Sequence, residues 1–172
     1  IEKNNVKCIL VPVKELIDVG FINFVVDYFK ENLRSLQQHY NSSYASFKLK
    51  IIIKKGYGEK AIEIIRETDH ECSDSMLKKF VKHDFTEFVF EYINNTGKHY
   101  CKTLQELVKK GYSKRIIELT DRHPDICCCD RHPDICYICC CEKLLDLLVC
   151  RSHIDFVMNY MEKRGVIFLK AL

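Results

Sequence analysis

Residues 104–119 read LQELVKKGYSKRIIEL, and this stretch decides the fold because four other segments share its pattern of apolar residues around one turn residue. The other segments are VKELIDVGFINFVVDYF (13–29), LKIIIKKGYGEKAIEII (49–65), LKKFVKHDFTEFVFEYI (77–93) and LDLLVCRSHIDFVMNYM (145–161). We align the five copies on the turn residue of each, called the anchor: Gly20, Gly56, Asp84, Gly111 and Ser152. Positions are counted from the anchor, so that Tyr112 lies at +1 of copy 4.

Apolar residues occupy the same positions in every copy. At −7, −4 and −3 stand Val13, Leu16, Ile17, Leu49, Ile52, Ile53, Leu77, Phe80, Val81, Leu104, Leu107, Val108, Leu145, Leu148 and Val149. This spacing predicts one buried stripe on a first helix of two to three turns. Further apolar residues at +5 and +8 predict a second helix. The anchor is Gly, Asp or Ser, and we expect it to adopt the left-handed backbone conformation that ends the first helix.

The intervals between anchors are 36, 28, 27 and 41 residues, and two local changes explain their spread. The segment DRHPDICCC (121–129) is followed at once by DRHPDIC (130–136), which is a nine-residue tandem duplication. Without it the last interval is 32 residues. An extra stretch around Leu36 to Tyr44 lengthens the first interval.

A helix pair of this kind cannot bury its apolar faces alone, so stacked copies must share a core. The pattern therefore predicts an all-α solenoid of about five stacked helix-turn-helix repeats in a single domain, 1–172. The repeats fall at about 11–44, 45–75, 76–102, 103–142 and 143–172, and the fourth contains the Cys-rich duplicated loop 121–141. The alternative is an all-α bundle in which unrelated amphipathic helices share a pattern.

The register resembles that of the ankyrin repeat, over about Val13 to Arg164. Leu stands seven residues before a Gly, apolar residues stand four and three before it, and aliphatic residues follow five and eight after it, as in 104–119. The family's Thr-Pro-Leu-His opening is absent apart from Pro12 and Thr103, and bulky residues replace its two Ala. The chain is similar to the divergent ankyrin-type repeats of large DNA viruses and some intracellular microbes. The resemblance implies protein binding on a concave surface lined by the first helices.

The composition of the 172 residues, 47% hydrophobic and 30% charged, is that of a packed globular chain rather than a disordered one. Its net charge of +3 says little about partners. The chain holds an odd number of Cys, 11, and opens without a cleavable secretory signal. We therefore expect a reducing compartment, the cytoplasm, or the host cytoplasm if the protein is viral. No apolar run approaches the roughly 18 residues of a membrane span.

Basic residues recur near the end of the first helix. They are Lys50 and Lys78 at −6, Lys54, Lys82 and Lys109 at −2, and Lys55, Lys110 and Arg151 at −1. Acidic residues recur at +7, as Asp27, Glu63, Glu91 and Glu118. With the ankyrin resemblance, the first set implies a basic concave face that binds a protein partner with an acidic surface. The alternative is a solvated surface on which the helix dipole favours Lys near helix C-termini.

The duplicated loop carries a candidate metal site, made of His123, Cys127, His132, Cys136 and Cys139. Thiolates and imidazoles at these spacings can form a tetrahedral zinc site. Two alternatives stay open: a replication slip that copied one loop, with the thiols packed as small apolar residues, and a disulfide or redox role. Pro124 and Pro133 predict that the stretch is a loop.

Aromatic residues stand at +1 in four copies, as Phe21, Tyr57, Phe85 and Tyr112. We expect them in the core between repeats, although beside the lysines they could also stack on nucleic-acid bases. The chain has no phosphate-binding loop, nucleophile elbow or zinc-protease motif, so we expect neither an enzyme nor a required cofactor. The sequence thus favours a protein-binding scaffold or adaptor. The alternatives are a nucleic-acid-binding module that uses the Lys stripe and a zinc-stabilised loop, and a structural subunit of a larger assembly.

Overall fold

A computed structural model of the chain describes residues 12–40, 42–98, 100–122 and 141–164. All regular secondary structure in these ranges is helical, which confirms the all-α prediction. The ten helices described are α1 (Val13–Asp18), α2 (Ile22–Tyr40), α3 (Ser42–Lys54), α4 (Gly58–Thr68), α5 (Asp74–Lys82), α6 (Thr86–Thr96), α7 (Cys101–Lys109), α8 (Ser113–Arg122), α9 (Cys141–Val149) and α10 (Ile154–Arg164).

The same turn joins the two helices of every copy. The anchors have positive φ angles of 91° (Gly20), 90° (Gly56), 69° (Asp84), 95° (Gly111) and 65° (Ser152). In each copy the anchor N–H donates to the carbonyl at −3 and the +1 N–H donates to the carbonyl at −4, as in the bonds from Gly111 to Val108 (2.9 Å) and from Tyr112 to Leu107 (3.1 Å). This pair of bonds is the Schellman motif. The second helix then begins at +2 in all five copies, so the turn predicted at the anchor is confirmed.

The apolar positions form the core as predicted. Thirteen of the fifteen residues at −7, −4 and −3 are buried, while Leu16 is half-buried and Val149 is 41% exposed. All five residues at +5 are buried as well. Position −3 is buried in copies 1 to 4 and exposed only in copy 5, which is the last copy that the structure describes.

The chain divides into two compact units, the first ending at Phe85 and the second beginning at Thr86. In the first unit α3 packs against both α1 and α5, and α2 packs against α4. In the second unit α7 packs against α8 and α9, and α9 packs against α10. Within each unit, the first helices of successive copies therefore lie side by side.

The aromatic residues at +1 pack on position +2 of the preceding copy. The Phe85 ring lies so close to Gly58 that a Cβ at Gly58 would overlap it. The Tyr112 hydroxyl lies 3.4 Å from Thr86 Oγ1, and its ring meets Phe90 edge-on at 5.8 Å between centroids. These two residues pack between copies as predicted, although they, like Tyr57, are half-buried rather than fully in the core. The core prediction is wrong for Phe21, which is 58% exposed, because no described copy precedes it.

The extra residues between the anchors of copies 1 and 2 lengthen helices α2 and α3. Helix α2 has 19 residues where α4, α6 and α10 have 11, and α3 has 13 where α5, α7 and α9 have nine. The extra residues thus extend the two helices on either side of Asn41.

Candidate functional site

The lysines at −2 are the most available cations of the predicted basic face. Lys54, Lys82 and Lys109 are all exposed and occupy the last turns of α3, α5 and α7. None of their ammonium groups has an ion pair or hydrogen bond with any residue that the structure describes. Each of these lysines is the last residue of its helix, where the helix dipole favours a cation.

In the first unit this arrangement extends over two adjacent helices. Lys54 and Lys82 stand at the same position of α3 and α5, which pack against each other. Copy 1 has Asp18 at −2, and the Lys55 ammonium forms an ion pair with that carboxylate. The pairing neutralises Lys55. In this unit the unpaired lysines at −2 are therefore those of copies 2 and 3, Lys54 and Lys82.

The lysines one turn earlier are less available. Lys50 is half-buried and donates a 2.7 Å hydrogen bond to Ser75 Oγ, which connects α3 to α5. Lys78 is also half-buried. We therefore place Lys50 and Lys78 at the margin of the basic surface and not at its centre.

In the second unit, Arg151 is held at the end of α7. Its Nη2 donates a 2.9 Å hydrogen bond to the backbone carbonyl of Lys109, and Lys109 and the adjacent Lys110 are both exposed. The turn after α9 thus adds a third cation to the two at the end of α7.

Some carboxylates on the second helices are paired with cations. Lys30 forms ion pairs with Glu63 and with Glu67 (2.8 Å), and Lys60 forms one with Glu63 (3.0 Å). The hydrogen bond from Lys30 lowers the pKa of Glu63, and the same bond raises the pKa of Lys30. The acidic stripe expected at +7 is therefore partly neutralised, whereas the cations at −2 are not.

Sequence reasoning missed an ion pair between copies 3 and 4. The Arg115 guanidinium binds both oxygens of Glu87, with Nη2–Oε2 at 3.0 Å, and lies 3.9 Å from the centre of the Phe90 ring. These bonds lower the pKa of Glu87. Arg115 at +4 faces Glu87 at +3 of the preceding copy, so comparing neighbouring copies offset by one position could have found the pair.

A cavity of about 320 Å³ lies at the beginning of α8, and sequence reasoning did not predict it. It is lined by residues 111–115 together with Arg151 and His153. The +1 residue of copy 5 is the signal that could have revealed it, because it is His153 where copies 1 to 4 carry Phe or Tyr.

The candidate zinc ligands His123, Cys127, His132, Cys136 and Cys139 lie outside the described residues. Within the described ranges, no three or more His, Cys, Asp and Glu side chains are placed to hold a metal ion. Cys72 and Cys101 are buried, and Cys150 is an exposed free thiol. His70 is buried, its Nε2 lies 3.2 Å from Ser46 Oγ, and desolvation lowers its pKa.

Among the helices that the structure describes, none is long and apolar enough to cross a membrane. Comparison with family models, curated proteins and solved structures finds no match to the chain.

Proposed function

We propose that the chain is a non-catalytic protein-protein interaction scaffold or adaptor, a solenoid of degenerate ankyrin-like repeats whose basic face binds an acidic protein surface. The observation that carries the proposal is the recurrence of an exposed, unpaired lysine at −2 in three copies, as Lys54, Lys82 and Lys109. Other cations, such as Lys55 and Lys30, form ion pairs within the chain.

The repeat part of the proposal is supported by the five equal turns and by the burial of the same positions in successive copies. Side-by-side packing of first helices within each unit presents their C-terminal ends next to one another. Cations that recur on such a surface attract an acidic partner over a distance and set its orientation. Because the helices are already ordered, binding would cost mainly side-chain entropy.

The test is affinity capture from a nuclease-treated, reducing cytosolic extract with three forms of the full chain. The first form is wild type and the second carries Lys54, Lys82 and Lys109→Glu. The control carries Arg66, Lys98 and Arg122→Glu, which reverses three exposed cations on second helices or the segments after them. All three forms must give the same far-UV circular dichroism spectrum.

We expect a protein partner that the wild type and the control retain and the Lys54/Lys82/Lys109 variant loses. Recovery of nucleic acid alone, when nuclease is omitted, would instead favour the nucleic-acid-binding module, whose affinity should fall steeply with salt. Capture in a fixed stoichiometry that all three forms share would favour a structural subunit.

A further inference from the structure

The first copy exposes three apolar side chains on the surface that later copies use to contact the copy before. Val19, Phe21 and Phe24, at −1, +1 and +4, are 67%, 58% and 54% exposed. At −1 of copy 2, Lys55 forms an ion pair with Asp18 at −2 of copy 1. Copies 2 to 5 all carry Lys, His or Arg at −1, whereas copy 1 carries Val. At this end of the chain an apolar surface thus replaces a polar one.

Positions +1 and +4 also contact the preceding copy. The Tyr112 hydroxyl at +1 of copy 4 lies 3.4 Å from Thr86 Oγ1 at +2 of copy 3. The Arg115 guanidinium at +4 of copy 4 lies 3.9 Å from the centre of the Phe90 ring at +6 of copy 3. Successive copies therefore join −1 to −2, +1 to +2 and +4 to +6.

The last copy that the structure describes exposes the opposite surface. Val149, Ile154 and Met158, at −3, +2 and +6, are 41%, 54% and 59% exposed. In earlier copies the same positions are buried: −3 in copies 1 to 4, +2 in copies 2 to 4 and +6 in copies 1 to 3. Their burial in earlier copies coincides with a following copy, whereas copy 5 presents them to solvent.

The two exposed surfaces match position by position. The contacts that join successive copies would bring together Val19 and Cys150, Phe21 and Ile154, and Phe24 and Met158. A Met sulfur packs favourably against an aromatic ring, and a Cys thiol packs as a small apolar group. In the described part of the chain, six of the seven exposed large hydrophobic residues lie on these two surfaces. Terminal repeats of a solenoid need a polar outer face for solubility, so this concentration of apolar side chains indicates a partner at each end.

We propose that a second copy of this chain binds head to tail, with the first copy of the repeat in one molecule docked on the last copy in the other. The contact continues, from chain to chain, the packing that successive copies make within each unit. Such an interface joins two different surfaces, so a dimer keeps one free surface of each kind and can add further chains. This self-association goes beyond the proposed function and does not depend on the lysines at −2.

One pair of like charges opposes the contact. Within the chain, position +10 contacts +11 of the next copy, as in the ion pair of Lys30 with Glu67 (2.8 Å). At the proposed junction both positions are acidic, because Glu162 at +10 would face Glu31 at +11, and both residues are exposed. Added salt screens this repulsion and leaves the apolar contact, so association should strengthen as the salt concentration rises.

The test is sedimentation velocity of the full chain under reducing conditions, over a wide range of concentration. Phe21→Glu disables the surface on the first copy, and Ile154→Glu disables the surface on the last. The control, Phe47→Glu, changes an equally exposed Phe that lies on neither surface. All three replaced side chains are exposed, so each variant should keep the wild-type far-UV circular dichroism spectrum.

We expect the wild type and Phe47→Glu to form dimers and larger species as the concentration rises. Phe21→Glu alone and Ile154→Glu alone should stay monomeric. Their mixture should form a dimer and nothing larger, because each variant supplies the surface that the other has lost. A monomeric wild type, a dimer of either variant alone, or a mixture that stays monomeric would overturn the proposal.

Charge variants test the register of the contact. Glu162→Lys should strengthen association at least about twofold at low salt, because it converts a repulsive pair into an attractive one. Glu118→Lys makes the same charge change at an exposed position of copy 4 and should alter the affinity by less than about twofold. Weaker association at higher salt, or equal effects of the two variants, would contradict the head-to-tail contact. Because only this chain is used, the result is independent of the capture experiment.

Discussion

Replacing Ser152 by Gly should stabilise the protein, although the change deletes a side chain. Ser152 holds a φ of 65° at the anchor of copy 5, where three other copies have Gly. The left-handed conformation costs a residue with a Cβ about 1–2 kcal/mol, and Gly removes this strain. Gly also makes the unfolded chain more flexible, which lowers the gain in stability by about 0.4–1 kcal/mol. Ser152 is exposed, so little packing is lost. The expected gain is about 0.5–1 kcal/mol.

The reverse change at the equivalent anchor should have the opposite sign. Gly111 has a φ of 95°, and a Cβ built there meets no atom within 4 Å. Gly111→Ser therefore tests the backbone alone and should cost about 1 kcal/mol. Gly111→Asn is the graded control and should cost less than Ser, because Asn tolerates the left-handed region better.

Urea denaturation followed by circular dichroism measures both effects. The midpoint should rise for Ser152→Gly and fall for Gly111→Ser while the slope m stays constant, since neither change alters the surface exposed on unfolding. A shift of 1 kcal/mol corresponds to about 2–4 °C in Tm for a chain of this size. Destabilisation by Ser152→Gly, or no cost for Gly111→Ser, would refute the assignment of these residues to equivalent turns.

Three further changes probe the packing. Gly58→Ala should destabilise by about 1–3 kcal/mol because its Cβ overlaps the Phe85 ring, and Phe85→Leu should recover part of that loss in a double-mutant cycle by urea denaturation. Leu107→Asp places a charge at a fully buried position and should abolish cooperative thermal unfolding; a native Tm would contradict the register. Burial lowers the pKa of His70, so the unfolded state takes up its proton first; stability should fall as the pH drops below about 6.5, and His70→Gln should show a weaker dependence between pH 7.5 and 5.5.

The turns and the buried stripes could be predicted from sequence because both depend on local rules. An anchor at positive φ favours Gly, and a stripe at −7, −4 and −3 follows from the helical period. Phe21 and Phe85 share one local pattern, yet among the residues that the structure describes only Phe85 meets a preceding copy. Burial at +1 depends on the neighbouring copy, which the residue's own segment does not contain.

Which lysines of the basic surface are paired could not be predicted from sequence for a related reason. Lys54 and Lys55 are adjacent and of one residue type, but only Lys55 reaches Asp18 in the copy before it. The cavity at the beginning of α8 is likewise lined in part by residues of the next copy, Arg151 and His153. Sequence alone gives the types and positions of these residues, whereas charge pairing and empty space depend on contacts between copies.

The most direct test of the interaction function is the dissociation constant of the captured partner, measured with purified proteins at near-physiological salt. Loss of three charge contacts predicts at least about tenfold weaker binding for the Lys54/Lys82/Lys109→Glu chain, and a change within about twofold for the Arg66/Lys98/Arg122→Glu control. Equal affinities for wild type and the Lys54/Lys82/Lys109→Glu chain, or equal losses in both variants, would contradict binding through the first-helix ends.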